Sequence, residues 1–278
     1  MISNSSRLAL AAAAVVALPL AAQSAPTYQS DEARAVVERM VEAHGGMAAW
    51  DRVETVDFMF FTKLVGNANS AFLSRETTDV RTGRAYLDWP VLGSRVGWDG
   101  QEVWSVGWPL PLPPGFFTRL TYSFITMPFQ TQVEPFVIEA PESHRLPNDD
   151  TDYVTVRMTK GARSAVMPGD FYRLYIDPES HLLRAIEFNI THPAMMQVPG
   201  QPLGPNAHVF TEYARVDDLV IPTYYETYRL FANETRATAI HAVFDLDTNR
   251  GFDAERARRP AEGNTDTATM DFWAVSAP

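Results

Sequence analysis

Cysteine is absent from the chain. That absence excludes disulfides, thiolate metal ligands, cysteine nucleophiles and a lipidated N-terminal cysteine. Cationic residues are scarce: 23 Lys and Arg stand against 34 Asp and Glu, for a net charge of −11. They form no run, so the basic stripe required by nucleic acid or an anionic membrane surface is missing. No apolar stretch reaches the ~20 residues of a spanning helix, and no repeat of 20–50 residues points to a solenoid or propeller. What is present is 278 residues, 46% of them hydrophobic and 12% aromatic. A chain of that size buries a substantial core without staples.

The longest apolar stretch follows Arg7 and runs over 8–22, mostly Ala, Val and Leu. One positive charge before a short apolar segment is the pattern of a secretory signal. Ala22-Gln23-Ser24 places small residues at −3 and −1, so cleavage is expected before Ala25. The expected organisation is a signal peptide at 1–24, one domain at 25–253, and a C-terminal tail or weak edge segment at 254–278. An exported protein without disulfides suits a bacterial periplasm.

Apolar residues at Ala33, Val36, Val37, Met40 and Val41 predict an amphipathic helix over 31–43, with Ser30 as N-cap and Gly45-Gly46 as the stop. A short helical turn follows at 48–50. From Val53 the period changes to two. Strands are predicted over 56–64, 72–81, 84–89, 94–98 and 102–106, then over 152–159, 171–176, 182–191, 208–216, 221–231 and 235–246. Asp99-Gly100 is the strongest hairpin signal. About eleven strands joined by tight turns, without helical crossovers, imply an antiparallel meander. The expected fold class is α+β: a single curved antiparallel sheet, an unclosed half-barrel, with covering helices.

Two segments interrupt the strands. Residues 108–114 (WPLPLPP) read as an extended loop, leading into a bulky amphipathic helix over 115–130 that ends at Pro128. Residues 192–206, rich in Pro, Gly and Met, read as a second loop. Two helices carry too little apolar surface to cover a sheet this long, which leaves an apolar hollow suited to a small ligand. The expected lining is Trp89, Trp98, Trp104, Trp108, Phe116, Phe117, Leu120, Phe124, Phe129, Met195 and Met196. Core packing is the competing reading for each one singly.

Catalytic patterns are weak. His44-Gly45-Gly46 has the form of an oxyanion loop, but no G-x-S-x-G elbow accompanies it, and a helix stop explains it better. The six histidines show no metal-ligating spacing. His192, Met195, Met196 and His208 could hold Cu(I), although such methionines more often line an apolar surface. No carboxylate pair is marked for glycosidase chemistry. Arg157, Arg173, Arg184 and Arg229 read as a ladder on a solvated sheet face, favoured over a polar mouth for a carboxylate or phosphate headgroup.

Several short motifs together resemble the periplasmic family of the outer-membrane lipoprotein carrier, the LolA/LolB-like proteins. They are His44-Gly45-Gly46 with Ala49-Trp50, residues 98–104 (WDGQEVW), Met127-Pro128-Phe129, Tyr175-Ile176-Asp177-Pro178 and Asp217-Asp218 leading to Ile221-Pro222. The resemblance is to an uncharacterised exported branch. It implies an eleven-stranded unclosed barrel with a helical lid over a cavity for acyl chains.

The expected function is thus to bind or carry a lipid, acyl chain or other hydrophobic ligand in the cell envelope, without enzymatic activity, cofactor or metal. Expected partners are a hydrophobic small molecule or acylated chain, an envelope protein, and transiently a membrane. Two alternatives stand beside it. One is an envelope interaction module using Tyr224, Tyr225 and Tyr228; the other is a hydrolase with dispersed residues such as His44 and His208.

Overall fold

The structure is a computed structural model that describes residues 25–67, 70–160, 170–191, 203–230 and 235–267. The expected signal peptide, Met195, Met196 and residues 268–278 lie outside them.

Helix α1 (Asp31–Ala43) forms as its pattern predicts. Ser30 accepts the Ala33 N–H at 3.0 Å, Asp31 and Glu32 occupy the first turn, and the stripe from Ala33 to Val41 is buried. A short α2 (Met47–Trp50) follows. Five strands come next: β2 (Thr55–Leu64), β3 (Ala71–Asp79), β4 (Ala85–Trp89), β5 (Ser94–Trp98) and β6 (Val103–Val106). After the covering helices come β9 (Tyr153–Lys160), β10 (Phe171–Ile176), β11 (Leu183–Ile190), β12 (Leu203–Val216), β13 (Leu219–Arg229) and β14 (Ala239–Asp247). These are the eleven expected strands.

Four more bring the described total to fifteen: β1 (Thr27–Tyr28), β7 (Phe136–Ile138), β8 (Glu142–His144) and β15 (Asn264–Asp266). Each has two or three residues, too few for alternation to register in sequence. They form because the neighbouring edge supplies ladder partners. All strands join one sheet, in the order β1-β7-β9-β10-β11-β12-β13-β14-β2-β3-β4-β5-β6-β15, with β8 also on β9. Its ends do not meet, so the sheet is unclosed. It is antiparallel except where β1 runs parallel to β7. Nor is it one continuous meander. Two meanders, β2–β6 and β9–β14, are stitched by the ladder between β14 and β2.

Two expectations are corrected. The single helix over 115–130 is three short ones: α3 (Pro114–Phe117), α4 (Leu120–Ile125) and α5 (Met127–Val133). Thr126 breaks the run by bonding back to the Tyr122 carbonyl at 2.6 Å. Pro128 opens α5 instead of ending a helix, because its missing N–H costs nothing in a first turn. Second, residues 203–206, expected in a loop, begin β12 and pair with β11 and β13. Among the described residues past 253 the structure places α6 (Ala254–Ala257) and the edge strand β15 on β6.

One face of the sheet, the inner face, carries α1, α2, α4 and α5 on a single large core. The outer face carries ion pairs. Arg157 and Arg173 lie opposite each other and pair with Glu139 and Glu187, as a solvent-face ladder should, whereas Arg229, opposite Asn206 and two residues from Thr227, falls on the inner face and does not belong to that ladder.

Candidate functional site

Strand register decides which side chains share the inner face. Leu87 and Val96 are cross-strand partners there, with Trp89 and Trp98 two residues along on β4 and β5. From the loop and α3, Trp108 and Phe117 close onto Trp89. The Trp89–Trp108, Trp89–Phe117 and Trp108–Phe117 ring centroids are 5.2, 5.5 and 5.2 Å apart. Phe116 abuts Phe117 at 5.2 Å. Trp89 and Trp98 are buried, and neither indole N–H has a hydrogen-bond partner.

The other expected lining residues are distributed. Phe124 of α4 lies 4.9 Å from Phe188 and 4.4 Å from His208, near the middle of the sheet. Leu120, half-buried, packs against the main core. Phe129 of α5 stacks on Trp50 at 4.6 Å, under α1. Trp104 belongs to none of these groups. It lies on the outer face opposite Gly97, where a Cβ would meet its indole at 2.5 Å, and donates Nε1–H to the Ala257 carbonyl at 2.6 Å. The rings around Trp89 pack on one another.

His44 is a structural pin. Its Nε2 accepts the Leu183 N–H at 3.0 Å, so Nδ1 holds the proton and donates to the Val220 carbonyl at 2.6 Å. Burial lowers its pKa to about 4. Gly45, at φ 111°, lies so close to β13 that a Cβ would stand 2.3 Å from the Asp218 carbonyl oxygen. The histidine–glycine pair therefore docks the end of α1 on β11 and β13.

A polar band crosses the centre of this apolar face, and sequence reasoning did not find it. Glu76 of β3 is buried beneath α4; Ser74 donates to its Oε1 at 2.8 Å and Thr121 also bonds to it. Burial without a cation pushes its pKa up to about 8, so the carboxyl is predominantly protonated at neutral pH. Tyr225 of β13 faces Glu76 and is itself raised by burial. It stacks on His241 of β14 at 4.4 Å, and lies 4.9 Å from His208 of β12. Thr227 Oγ1 bridges the two histidines, 2.9 Å from His208 Nδ1 and 2.8 Å from His241 Nε2. Burial lowers both imidazoles, His241 to about 3, so both are neutral. The other ring nitrogen of His241, Nδ1, is buried without a partner.

The band comes from the consecutive strands β12, β13 and β14 together with β3, more than a hundred residues before them. Period-two reading of β3 gave no hint, because Ser74, Glu76 and Thr78 alternate with Arg75 and Thr77. Tyr225 points inward while its neighbour Tyr224 takes the other face, so the three tyrosines expected as an interface do not share a surface. Among the described residues, no group of three His, Asp or Glu could hold a metal ion, and no helix is long and apolar enough to cross a membrane.

No family model matches the chain, and no curated protein matches its sequence. Solved structures do match. A LolA superfamily protein from Nitrosomonas europaea superposes with a TM-score of 0.51 at 14% identity, covering 83% of this chain and 99% of that one. A DUF1329 family protein from Desulfovibrio piger gives 0.48 at 10% identity, over 82% and 98%. A putative outer membrane lipoprotein-sorting protein domain from Vibrio parahaemolyticus gives 0.46 at 12%, over 80% and 97%. The unclosed sheet, its helix-covered inner face and the first of these superpositions establish a LolA-like fold for this chain.

Proposed function

We propose that this protein is a carrier of the cell envelope that holds an acyl chain or comparable apolar ligand between the inner face and the helices α3–α5. The observation that carries this reading is the composition of that layer. Its aromatic side chains sit under three helices of four, six and seven residues, and buried indole and imidazole nitrogens beneath them lack partners. A permanently sealed core has no use for such groups, each of which costs about 1–3 kcal/mol when left unpaired. Helices this short carry little stability of their own and can shift as units. The LolA-like fold supports the same reading. The role is binding and release, without a chemical step. The segment at 1–24 would direct export to the periplasm.

Burying methylenes contributes ~0.8 kcal/mol each. A series of monoacylglycerols and a parallel series of fatty acids with eight to fourteen carbons, titrated by tryptophan fluorescence below micellar concentrations, should therefore bind about fourfold tighter per added methylene. Affinity independent of chain length, or no binding in either series, would count against a carrier.

A further inference from the structure

The connections at the two ends of the sheet differ in character. Strand directions place the β3–β4, β5–β6, β10–β11 and β12–β13 turns at one end. Each of these turns carries charge: Arg81 and Arg84, Asp99 and Glu102, Asp177 and Glu179, Asp217 and Asp218. The β2–β3 connection, the β4–β5 turn and the 107–113 segment after β6 lie at the opposite end. None of these three contains Asp, Glu, Lys or Arg. The flanking charges Lys63, Arg75, Asp88 and Arg95 are set back on the strands. On the far side of β2, the β13–β14 connection carries Glu234 and Arg236 and so bounds the uncharged surface.

Apolar side chains stand in water at this same end. Leu64 and Val65, where β2 runs out, are 48% and 54% exposed, and Val91 of the β4–β5 turn is 74% exposed. The fourth exposed large hydrophobic among the described residues, Phe244, lies elsewhere, on the outer face beside Met59. The three connections are neighbours. Trp89, at the end of β4, is 6.0 Å from Phe72 of β3 and 5.2 Å from Trp108. Leu92 and Leu110 pack into the same cluster.

The backbone of this end is prepared for an apolar medium, where an N–H without a partner is costly. Pro90, Pro109, Pro111 and Pro113 have no N–H at all. The N–H groups of Val65, Asn67, Leu92 and Gly93 are bonded to the carbonyls of Thr238, Leu64, Trp89 and Pro90. Trp108 donates its indole N–H to the Leu112 carbonyl at 2.7 Å. A protein partner is usually set in place by a polar rim, and these connections offer no charge to build one. A lipid surface needs none. The mostly acidic far end and the net charge of −11 would orient the molecule with its uncharged end toward a bilayer.

We propose that this end, formed by Leu64 and Val65, Val91 and Leu92, and the Pro-rich 107–113 segment, docks on a phospholipid bilayer by inserting apolar tips, without charge attraction. This goes beyond the carrier reading and does not depend on it, since the test reads attachment to vesicles and not uptake of a ligand.

The test uses the chain from Ala25 onward, where the described structure begins, because the apolar stretch at 8–22 would bind lipid by itself. In flotation with phosphatidylcholine vesicles, the wild type should rise with the lipid. Val65→Asp with Val91→Asp should weaken partitioning about tenfold or more. Phe244→Asp, at an apolar position of similar exposure away from this end, should leave it unchanged. The chain has no cysteine, so Val91→Cys and Gln101→Cys each create one labelling site. An environment-sensitive dye at 91 should shift to the blue on the vesicles, and at 101, in the β5–β6 turn, it should not. This comparison decides alone should the double variant fail to fold. Absence of flotation overturns the proposal and leaves this end to a protein partner. Equal loss with Phe244→Asp, equal dye shifts at 91 and 101, or attachment only after phosphatidylglycerol is added to the vesicles overturns it as well.

Discussion

At the scale of single residues, the notable choices are titratable groups held neutral inside an apolar layer. Glu76 and His44 drive stability in opposite directions as pH changes. The folded state raises Glu76 from 4.5 to about 8, so it retains a proton that the unfolded chain releases. Stability therefore falls as pH rises through that window, by up to about 1.4 kcal/mol per unit. His44 is lowered from 6.5 to about 4, so the unfolded chain takes up the proton first, and stability is lost as pH falls through that range. Glu76→Gln should abolish only the decline between pH 4.5 and about 8. In urea denaturation, its stability relative to wild type should increase from pH 5 to pH 8 and then level. A variant that loses ground over that range would show that Glu76 is ionised in the fold.

At the scale of elements, the three covering helices depend on ties from outside themselves. Asp266 of β15 accepts the Gly115 N–H at 2.9 Å and so fastens the start of α3 to the far edge of the sheet. At the other end, Gln132 donates to the Tyr28 hydroxyl at 2.8 Å, joining α5 to β1. Asp266→Ala removes the first tie, at a cost of about 1–3 kcal/mol. Hydrogen exchange over 114–133 should accelerate about tenfold or more, while β9–β11 stay as protected as before. Equal acceleration in both regions would mean that the helices do not open as a unit. The same elements show where periodicity succeeds. Long strands such as β2 and β13 expose their alternation, and α1 carries its own cap and stripe. By contrast, β1, β7, β8 and β15 are defined by neighbours, and the breaks among α3, α4 and α5 by hydrogen bonds such as that of Thr126.

At the scale of the whole molecule, the ladder between β14 and β2 makes two meanders into one cooperative body. Phe58 of β2 is fully buried in the core that both halves share. Phe58→Ala should cost about 3–5 kcal/mol and shift one transition without splitting it. Trp89, Trp98, Trp104 and Trp108 report on the first half by fluorescence, since no tryptophan lies between 109 and 272. Hydrogen exchange of β9–β13 reports on the second. Distinct midpoints for the two probes would show that the halves unfold separately.

The sequence by itself determined the eleven long strands, the first helix, the extended 108–114 loop and the aromatic-rich cover, because each is written in local period, caps and prolines. Its motifs also pointed to the LolA-like fold. Only the tertiary structure decided which face each side chain takes. Between β5 and β6 the turn places Trp98 opposite Val103, which sends Trp104 to the outer face although it stands only six residues from Trp98. The same holds for Glu76, His208, Thr227 and His241. No local pattern joins them, and they meet because ladder register adds up across neighbouring strands, a sum that no single segment of the chain contains.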